Sequence, residues 1–504
     1  MSKRVSASDA LFVGVVLVLT FMAARVWWLS KIVPGMDYPQ YLVFVRALQD
    51  HADPASPFHG TYAVAQWYKP TSLLINVTSW LSYACGHSIE RAGKVLWTLE
   101  NVGVVAASVF TLRELRRNRW AVLLVFPLIH CVWTVAGGFF GYATSLPLVI
   151  LVWGLTVRWF RAPSVRSGIA LGTCFCAVFL WHGIGFAQAG IGFAILWMLW
   201  RFPSWRARVL GGVPTLPCLT LFAVWWTSTF DGSAGKSAPA WGDPWNAAEH
   251  IVEYVWSTVP HYTARAYALV LIVGAGLLLS PTNLGATQGT RTWRVRNPFL
   301  LLSLAYLALY WAFPMYLNNV AGVSVRFPYA AALAFVLAWN LPAPPAARTL
   351  LLAVVGSFGA WCLYDMSQRF VAFDAYTRGA SDLIDRLGPY DTLYCSAPNA
   401  GAFDGFAGPT NKPIREIQQY ATIRHGGLPN SSFAGYGYNY VSYVHGNPMP
   451  EFYGWPGWSR AMTKFDYVLG RGQMVDKHFR LVDRAGGWQL YGVCGSARFP
   501  RCDL

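Results

Sequence analysis

The stretch Gly35–Leu48, GMDYPQYLVFVRAL, begins only a few residues after the first long apolar run of the chain. It places a carboxylate, Asp37, just outside the first predicted membrane span, and aromatic and basic residues follow it. A charge held at the bilayer surface in this way can act on a lipid-linked substrate. Other concentrated polar sites are few, so Asp37 is the first candidate for a functional residue.

The composition is that of a membrane protein. Of the 504 residues, 55% are hydrophobic and 12% are charged, about half the charged share of an average soluble protein. Apolar runs of about 17–25 residues, the length a helix needs to cross the hydrocarbon core, recur along the chain. The sequence predicts an α-helical polytopic protein with about eleven spans, at 9–30, 93–112, 120–137, 143–160, 166–182, 184–200, 208–228, 263–281, 298–315, 327–341 and 347–364.

The net charge of +16 is explained by the membrane topology and does not indicate a nucleic-acid partner. If the N-terminus is cytoplasmic, every short inside loop is basic, as in the Arg113–Arg119 segment, and this agrees with the positive-inside rule. Residues 71–85 are apolar but short and rich in hydroxyl groups, so they are interpreted as a helix at the outer interface. Two long outer loops then follow from the span order, at 31–92 and 229–262.

A change in composition near residue 365 divides the chain into a transmembrane domain, 1–364, and an outer α/β domain, 365–504. In the second part FDAYTRGASDLIDRLGP predicts a helix, DTLYCSA and KFDYVLG predict strands, and HFRLVDRAGGWQLYGV predicts a hairpin. Three cysteines, Cys395, Cys494 and Cys502, lie here. One pair of them is a candidate disulfide, but the sequence does not say which pair.

Two cations join Asp37 on the predicted outer face. Lys69, in WYKPTSLL, precedes the interfacial helix, and Arg326 opens a span from the outer side, where the positive-inside rule does not place it. Either side chain is able to bind a lipid phosphate. For Lys69 the structural alternative is a lysine that extends its long side chain to the membrane–water interface and binds no ligand. For Asp37 the structural alternative is a carboxylate that caps a helix N-terminus.

The chain resembles the GT-C superfamily of polytopic glycosyltransferases, which use polyprenyl-phosphate-linked sugars. In that superfamily an acidic residue early in the first outer loop, often followed by an aromatic residue, is the catalytic base, and Asp37-Tyr38 occupies this position. Many members carry a lysine-proline-proline-leucine element beside the donor phosphate, and Lys69–Leu73 (KPTSL) is similar, with threonine for the second proline. An outer C-terminal domain is common in the superfamily, and FDYVLG and WQLYGV resemble its closing strands.

The resemblance implies a glycosyltransferase that moves a sugar from a polyprenyl-phosphate donor to a glycan, lipid or protein acceptor on the outer face of a bacterial inner membrane. Asp37 is the expected base, and inversion is expected because no second carboxylate offers itself as a nucleophile. Lys69 and Arg326 are expected to bind the donor phosphate. Further candidates for lining the pocket are Tyr41, Arg46, His59, His182, Asp243 and His261.

No cofactor is predicted. The sequence contains no Walker loop, Rossmann fingerprint, HExxH or paired CxxC motif. The usual Asp-Glu pair of the superfamily is also absent, because Tyr38 follows Asp37, and no residue pattern supports a divalent metal.

The alternative function is a non-catalytic protein for lipid or polysaccharide transport or assembly on the same fold. A transporter is expected to carry polar residues through its spans, and here these are chiefly Glu100, Asn101 and His130. A structural hydrogen-bonded role is favoured for Glu100 and Asn101, so the sequence favours chemistry at the outer edge.

Overall fold

The computed structural model describes residues 7–130, 135, 137–229, 239–241, 297–317, 320–339, 345–396, 414, 416–430, 434, 440–450, 459–471 and 476–501. Within them the chain forms two compact units. Unit 1 comprises Met1–Val26, Trp97–Thr134 and Tyr142–Ser367, and unit 2 comprises Trp27–Leu96, Val135–Gly141 and Gln368–Leu504. Each unit is described by itself.

The described α-helices are α1 (Ala7–Arg25), α2 (Tyr38–Asp50), α3 (Ser72–Ala84), α4 (Ile89–Glu114), α5 (Phe140–Arg161), α6 (Val165–Trp181), α7 (Gly183–Leu199), α8 (Trp205–Gly212), α9 (Leu216–Thr229), α10 (Pro298–Ala312), α11 (Phe327–Ala338), α12 (Pro345–Ile384) and α13 (Gln419–His425). Short 3-10 helices occupy Val26–Trp28, Arg119–Val125, Val213–Thr215, Ser324–Arg326 and Arg460–Lys464. The strands are β1 (Tyr62–Val64), β2 (Tyr316–Leu317), β3 (Val320–Ala321), β4 (Leu393–Cys395), β5 (Val441–Tyr443), β6 (Tyr467–Arg471), β7 (Phe479–Ala485) and β8 (Trp488–Val493).

Among the described residues, five helical segments are long and apolar enough to cross a membrane. They are Ala7–Trp28, Ile89–Glu114, Phe140–Arg161, Trp205–Thr229 and Arg348–Ile384, and shorter apolar helices accompany them. The prediction of a multi-span membrane protein is therefore confirmed. The number eleven stays a prediction, because the expected span at 263–281 lies outside the described residues.

One expected span differs from the structure. Over 120–137 the described residues form the 3-10 helix Arg119–Val125 and then turns as far as His130, not one continuous α-helix. Pro127 gives the physical reason, because its ring and missing N–H prevent an α-helix from continuing through it. The apolar composition was correctly recognised, and residues 121–130 are buried within unit 1.

The helices of unit 1 are joined by buried polar contacts as well as by apolar packing. The hydroxyl of Thr111 in α4 donates to the carbonyl of Ile150 in α5 at 3.1 Å. The hydroxyl of Ser303 in α10 donates to the carbonyl of Ala331 in α11 at 2.8 Å. Small hydroxyl side chains at such contacts are typical of packed membrane helices.

Unit 2 contains a four-stranded sheet in the order β4-β6-β8-β7. The pairing of β4 with β6 is parallel, and the other two pairings are antiparallel. Gly486 and Gly487 both have positive φ, 53° and 81°, as a two-residue hairpin turn between β7 and β8 requires. The predicted strands and hairpin are confirmed, whereas the expected outer location of 365–504 stays a prediction.

Two further features concern the second predicted domain. Helix α12 runs on through the predicted boundary at 364/365 and ends at Ile384. Cys494 is disulfide-bonded, whereas Cys395 is a free thiol. The bridge expected among the outer cysteines therefore includes Cys494 and leaves out Cys395.

Candidate active site

Asp37 lies at the N-cap position of α2, where Pro39 sits in the first turn and suits a helix start. Its side chain makes no capping hydrogen bond to the helix. The backbone amide of Asp37 donates to the carbonyl of Gly137 at 3.1 Å, so the residue is held through its backbone. Asp37 is partly exposed and lies at the N-terminal end of the helix dipole, which attracts negative charge.

The peptide of Asp37 and Tyr38 rests on a glycine from a distant part of the sequence. Gly138 has a φ of +67°, and a Cβ built on it would lie 2.5 Å from the backbone nitrogen of Tyr38 and 2.6 Å from that of Asp37. Gly35 approaches the same segment, since its Cβ would lie 2.9 Å from the Cα of Gly138. Only residues without a side chain permit this approach.

A tyrosine from α13 holds the segment before Asp37. The backbone amide of Val33 donates to the hydroxyl of Tyr420 at 3.2 Å, and the same hydroxyl lies 3.3 Å from the carbonyl of Val33. In the next turn, Arg424 pairs with Glu90 through two contacts of 2.6 and 2.9 Å. The segment before Asp37 is therefore held at Val33 by α13, and α13 is itself joined to α4 through Glu90.

Two aromatic side chains of α2 pack on Phe140. The rings of Tyr38 and Tyr41 lie 5.1 and 5.9 Å from the ring of Phe140, both edge to face. Tyr38 is fully buried, and burial raises the pKa of its hydroxyl well above the usual value. Tyr38 is therefore a neutral packing residue beside Asp37, and Tyr41 lies one turn further along the helix.

Lys69 is half-buried in the loop before α3. Burial lowers the pKa of its ammonium group, because a charge is less stable where water is partly excluded. Thr71, two residues later, has a φ of 72°, which is uncommon for a residue with a branched side chain. The KPT turn therefore adopts a restricted backbone conformation directly before the helix.

The other candidates in unit 2 have local partners. Arg46 forms an ion pair with Asp50 one turn further along α2, with 2.6 Å between Nε and the carboxylate oxygen. His59 is exposed, and its Nδ1 lies 3.0 Å from the carbonyl oxygen of His51. Asp243 and His261, also predicted to line the pocket, lie outside the described residues.

Unit 1 contains a buried cluster around Arg326, which is 6% exposed at the end of the 3-10 helix Ser324–Arg326. Its guanidinium donates to the carbonyl of Gly322 at 2.8 Å and lies 5.7 Å from the ring centre of Tyr142. Its own carbonyl accepts from the hydroxyl of Tyr142 at 2.8 Å and from the amide of Gln188 at 3.1 Å. Both the backbone and the side chain of Arg326 are thus held in place.

His182 lies beside the same cluster, between α6 and α7. Its Nδ1 accepts from the backbone amide of Gly185 at 3.2 Å and so caps α7. The ring lies 5.8 Å from that of Tyr142. Two predicted residues, His182 and Arg326, are therefore close to one tyrosine ring within unit 1.

Sequence reasoning missed Tyr142 and Gln188, together with Tyr306, whose hydroxyl donates to the carbonyl of Gln188 at 2.5 Å. Of these residues, Gln188 was recognisable in the sequence, because a lone amide side chain in the apolar helix α7 must find hydrogen-bond partners. Tyr142 ends the short segment GGFFGY, which also contains Gly138.

Two buried side chains elsewhere in unit 1 have a structural explanation. The amide of Asn101 donates to the carbonyl of Ala23 at 3.0 Å, and Nε2 of His130 lies 3.0 Å from the same oxygen. This agrees with the structural role expected for Asn101. Over the described ranges, no group of three or more His, Cys, Asp or Glu side chains is arranged to hold a metal ion.

Comparison with known proteins places the fold. No protein-family model matches the sequence, and no curated protein matches it in sequence. Among solved structures, ArnT from Cupriavidus metallidurans bound to undecaprenyl phosphate is similar at 13% identity and a TM-score of 0.51, over 96% of this chain and 98% of that one. The apo state of ArnT is similar at 14% identity and a TM-score of 0.50, with the same coverage.

A third similar structure is the arabinofuranosyltransferase AftD from Mycobacteria, at 14% identity and a TM-score of 0.48, over 95% of this chain and 39% of that one. The similarity to ArnT extends over nearly the whole of both chains. The fold expected from the resemblance is confirmed: this chain has the fold of ArnT.

Proposed function

We propose that this protein transfers a sugar from a polyprenyl-phosphate donor to an acceptor hydroxyl on the outer face of a bacterial inner membrane. The fold supports the proposal, since ArnT, similar over nearly its full length, was solved with undecaprenyl phosphate bound. The observation that carries it for this chain is the placement of Asp37. Asp37 stands at the N-terminus of α2 and is partly exposed.

In the proposed reaction the acceptor oxygen attacks the anomeric carbon, and the bond from that carbon to the phosphate oxygen breaks. The acceptor proton passes to the carboxylate of Asp37, and polyprenyl phosphate leaves with the electron pair. A single displacement of this kind inverts the anomeric configuration. General-base assistance contributes about 10²–10⁴ in rate.

Lys69 is proposed to hold the donor phosphate. Its half-buried position strengthens the attraction between its ammonium group and an anion, because water screens the charges less there. The negative charge on the phosphate grows as the bond to the sugar breaks, so a fixed cation stabilises the transition state. Arg326 remains a second proposed phosphate contact.

The proposed partners are the polyprenyl-phosphate-linked sugar, membrane lipids, and a glycan, lipid or protein acceptor. The proposal assigns no step to a metal or cofactor and no role to nucleic acid. The N-terminus is proposed to be cytoplasmic and residues 365–504 periplasmic, in line with the basic inside loops.

The decisive experiment is Asp37→Asn in the full-length protein. Asparagine keeps the size of the side chain but removes its charge, so transfer should fall by at least about 10²-fold while thermal stability stays near that of the wild type. Asp53→Asn is the control, because Asp53 is an exposed carboxylate whose Oδ1 accepts from the amide of Ala55 in the same outer loop. Transfer should survive that change.

The assay measures product formed from a defined polyprenyl-phosphate sugar and a verified acceptor. Wild-type transfer by Asp37→Asn would remove the proposed base and favour the non-catalytic transport or assembly function. A loss of transfer in both variants would show a general sensitivity of the loop and would not identify a base.

A further inference from the structure

A cluster of buried polar side chains lies around the beginning of α13 in unit 2. Its members are Glu416, Gln418, Gln419 and Asn430, and none of them is more than 9% exposed. The amide nitrogen of Gln418 donates to the carboxylate of Glu416 at 3.0 Å and to the side-chain oxygen of Asn430 at 2.9 Å. The amide nitrogen of Gln419 donates to the same carboxylate oxygen at 3.1 Å. Glu416 therefore fixes the orientation of both amides.

The amide of Gln418 presents an acceptor that the cluster does not use. Because a carboxylate oxygen accepts hydrogen bonds, the Gln418 atom that faces Glu416 is the amide nitrogen, and Oε1 is the atom left over. Among the described residues, this enclosed Oε1 finds no hydrogen-bond donor. Buried polar atoms in folded proteins nearly always have a partner, so an enclosed acceptor of this kind calls for a donor from outside the chain.

The packing of α13 on α2 places this cluster at the same end of α2 as Asp37. Near the start of α13, the hydroxyl of Tyr420 lies 3.2 Å from the backbone nitrogen of Val33, which precedes Asp37 in the chain. At the end of α13, a Cβ built on Gly426 would lie 3.3 Å from the guanidinium of Arg46, well inside α2. The two helices therefore run in the same direction, and the residues that begin α13 lie beside the start of α2.

A sugar hydroxyl is the donor that suits this acceptor. A hydroxyl group donates one hydrogen bond, whereas a lipid phosphate offers acceptor oxygens and the polyprenyl chain offers neither. A site that hydrogen-bonds a substrate hydroxyl also discriminates against a ligand without that group, because its own polar atom is then left unpaired. The free acceptor of Gln418 thus matches the sugar and not the lipid part of a polyprenyl-phosphate sugar.

We propose that Oε1 of Gln418 accepts a hydrogen bond from a sugar hydroxyl, and that Glu416 and Asn430 are positioning residues that hold the amide for it. The inference rests on the proposed glycosyltransferase function and names a group that recognises the sugar. The hydroxyl belongs to the donor sugar or to a glycan acceptor, and the chemistry of recognition is the same for both.

The experiment compares Gln418→Met with the wild type in the full-length protein. Methionine keeps the length of the side chain and removes the amide. Gln49→Met is the matched control, because the amide of Gln49 in α2 donates to the hydroxyls of Ser79 at 3.2 Å and Ser82 at 2.8 Å within unit 2. Each protein is reconstituted in phospholipid nanodiscs with the polyprenyl-phosphate lipids extracted from host membranes, which include bare and sugar-bearing forms. Native mass spectrometry measures which lipids are retained.

Wild type and Gln49→Met should retain the sugar-bearing lipid over bare polyprenyl phosphate by at least about tenfold, the value of one buried hydrogen bond. Gln418→Met should lose this preference and still bind the bare lipid. If the hydroxyl comes from the acceptor, lipid preference stays unchanged, and Gln418→Met instead raises KM for the acceptor by about tenfold at an unchanged kcat. An unchanged lipid preference together with an unchanged KM would overturn the proposal, as would equal losses in Gln418→Met and Gln49→Met.

A second measurement on the wild type applies even if Gln418→Met does not fold. An electron cryo-microscopy structure with the retained lipid and the acceptor should show a sugar oxygen within about 3.5 Å of Oε1 of Gln418. A sugar bound elsewhere, or only water at this atom, would contradict the assignment. Lipid retention requires no transfer reaction, so loss of the sugar site and loss of the proposed function are distinguishable.

Discussion

Lys69 shows how burial changes the chemistry of a single side chain. A fully exposed lysine keeps its charge far into alkaline conditions, whereas burial lowers the pKa of Lys69. The group therefore loses its charge at a lower pH than an ordinary lysine. If its charged form holds the donor phosphate, donor binding acquires a pH dependence.

We expect donor binding to weaken as the pH rises through the lowered pKa of Lys69. Lys69→Arg keeps a positive charge at much higher pH, so it should move this loss of binding to higher pH. Lys69→Met should weaken binding at neutral pH by about tenfold, the value of one lost charge-assisted hydrogen bond. Calorimetric titration of polyprenyl phosphate into the reconstituted protein from neutral to alkaline pH measures both effects. An identical pH profile for wild type and Lys69→Arg would remove Lys69 from the phosphate site.

At the scale of elements, the start of α2 depends on the segment that precedes α5. The amide of Asp37 bonds to Gly137, and the absent side chain of Gly138 leaves room for the peptide between Asp37 and Tyr38. The position of the proposed base is thus set by residues about one hundred positions away in the sequence.

Gly138→Ala should therefore disturb both stability and transfer. The new methyl group would meet the backbone nitrogens of Asp37 and Tyr38, at a cost of about 1–3 kcal/mol in addition to the unfavourable positive φ. Gly60→Ala is the matched control, since Gly60 has nearly the same φ, +69°, but open space around its Cβ position. Thermal unfolding and transfer are measured in both variants. Equal losses in the two would mean that close backbone approach is not what positions Asp37.

A second element-scale arrangement holds Arg326 in unit 1. Tyr142 and Gln188 donate to the same carbonyl oxygen, so either one still satisfies it when the other is removed. We expect Tyr142→Phe and Gln188→Met to lower stability by about 1 kcal/mol each. The double variant should lose more than their sum, because it leaves a buried carbonyl without these donors. Thermal unfolding of all four proteins tests this, and strictly additive shifts would contradict a shared acceptor.

At the scale of the whole molecule, the basic loops predict which parts of the chain face the cytoplasm. The four-stranded sheet provides a clear probe, because Val482 is exposed on β7. Ala162, in the short exposed connection between α5 and α6, is predicted to face inward. The two positions should therefore differ in accessibility from outside the cell.

Cysteines introduced as Val482→Cys and Ala162→Cys test this orientation. A membrane-impermeant maleimide should label Val482→Cys in cells whose outer membrane alone has been opened, above the wild-type background of native thiols. Ala162→Cys should react only after the inner membrane is also permeabilised. Labelling in the opposite order would invert the topology and move residues 365–504 to the cytoplasm.

The sequence by itself determined the local features of this protein. Apolar windows located most of the long helices, and the Gly486-Gly487 turn with its flanking strands was recognisable from turn chemistry. Asp37 was also recognisable as the residue before a helix, because Pro39 and the apolar spacing of α2 are local signals. In each case the residues that determine the local structure lie within the segment that adopts it.

Only the tertiary structure decided which distant residues meet. The contacts of Gly138 with Asp37, of Tyr420 with Val33, and of Gln188 with Arg326 join groups far apart in the chain. A lone glutamine in an apolar helix has the same sequence pattern whichever carbonyl it bonds. Hydropathy likewise identified 120–137 as apolar without showing that Arg119–Val125 forms a 3-10 helix. Polarity and periodicity act along a segment, whereas packing and hydrogen-bond partners depend on which segments the fold brings together.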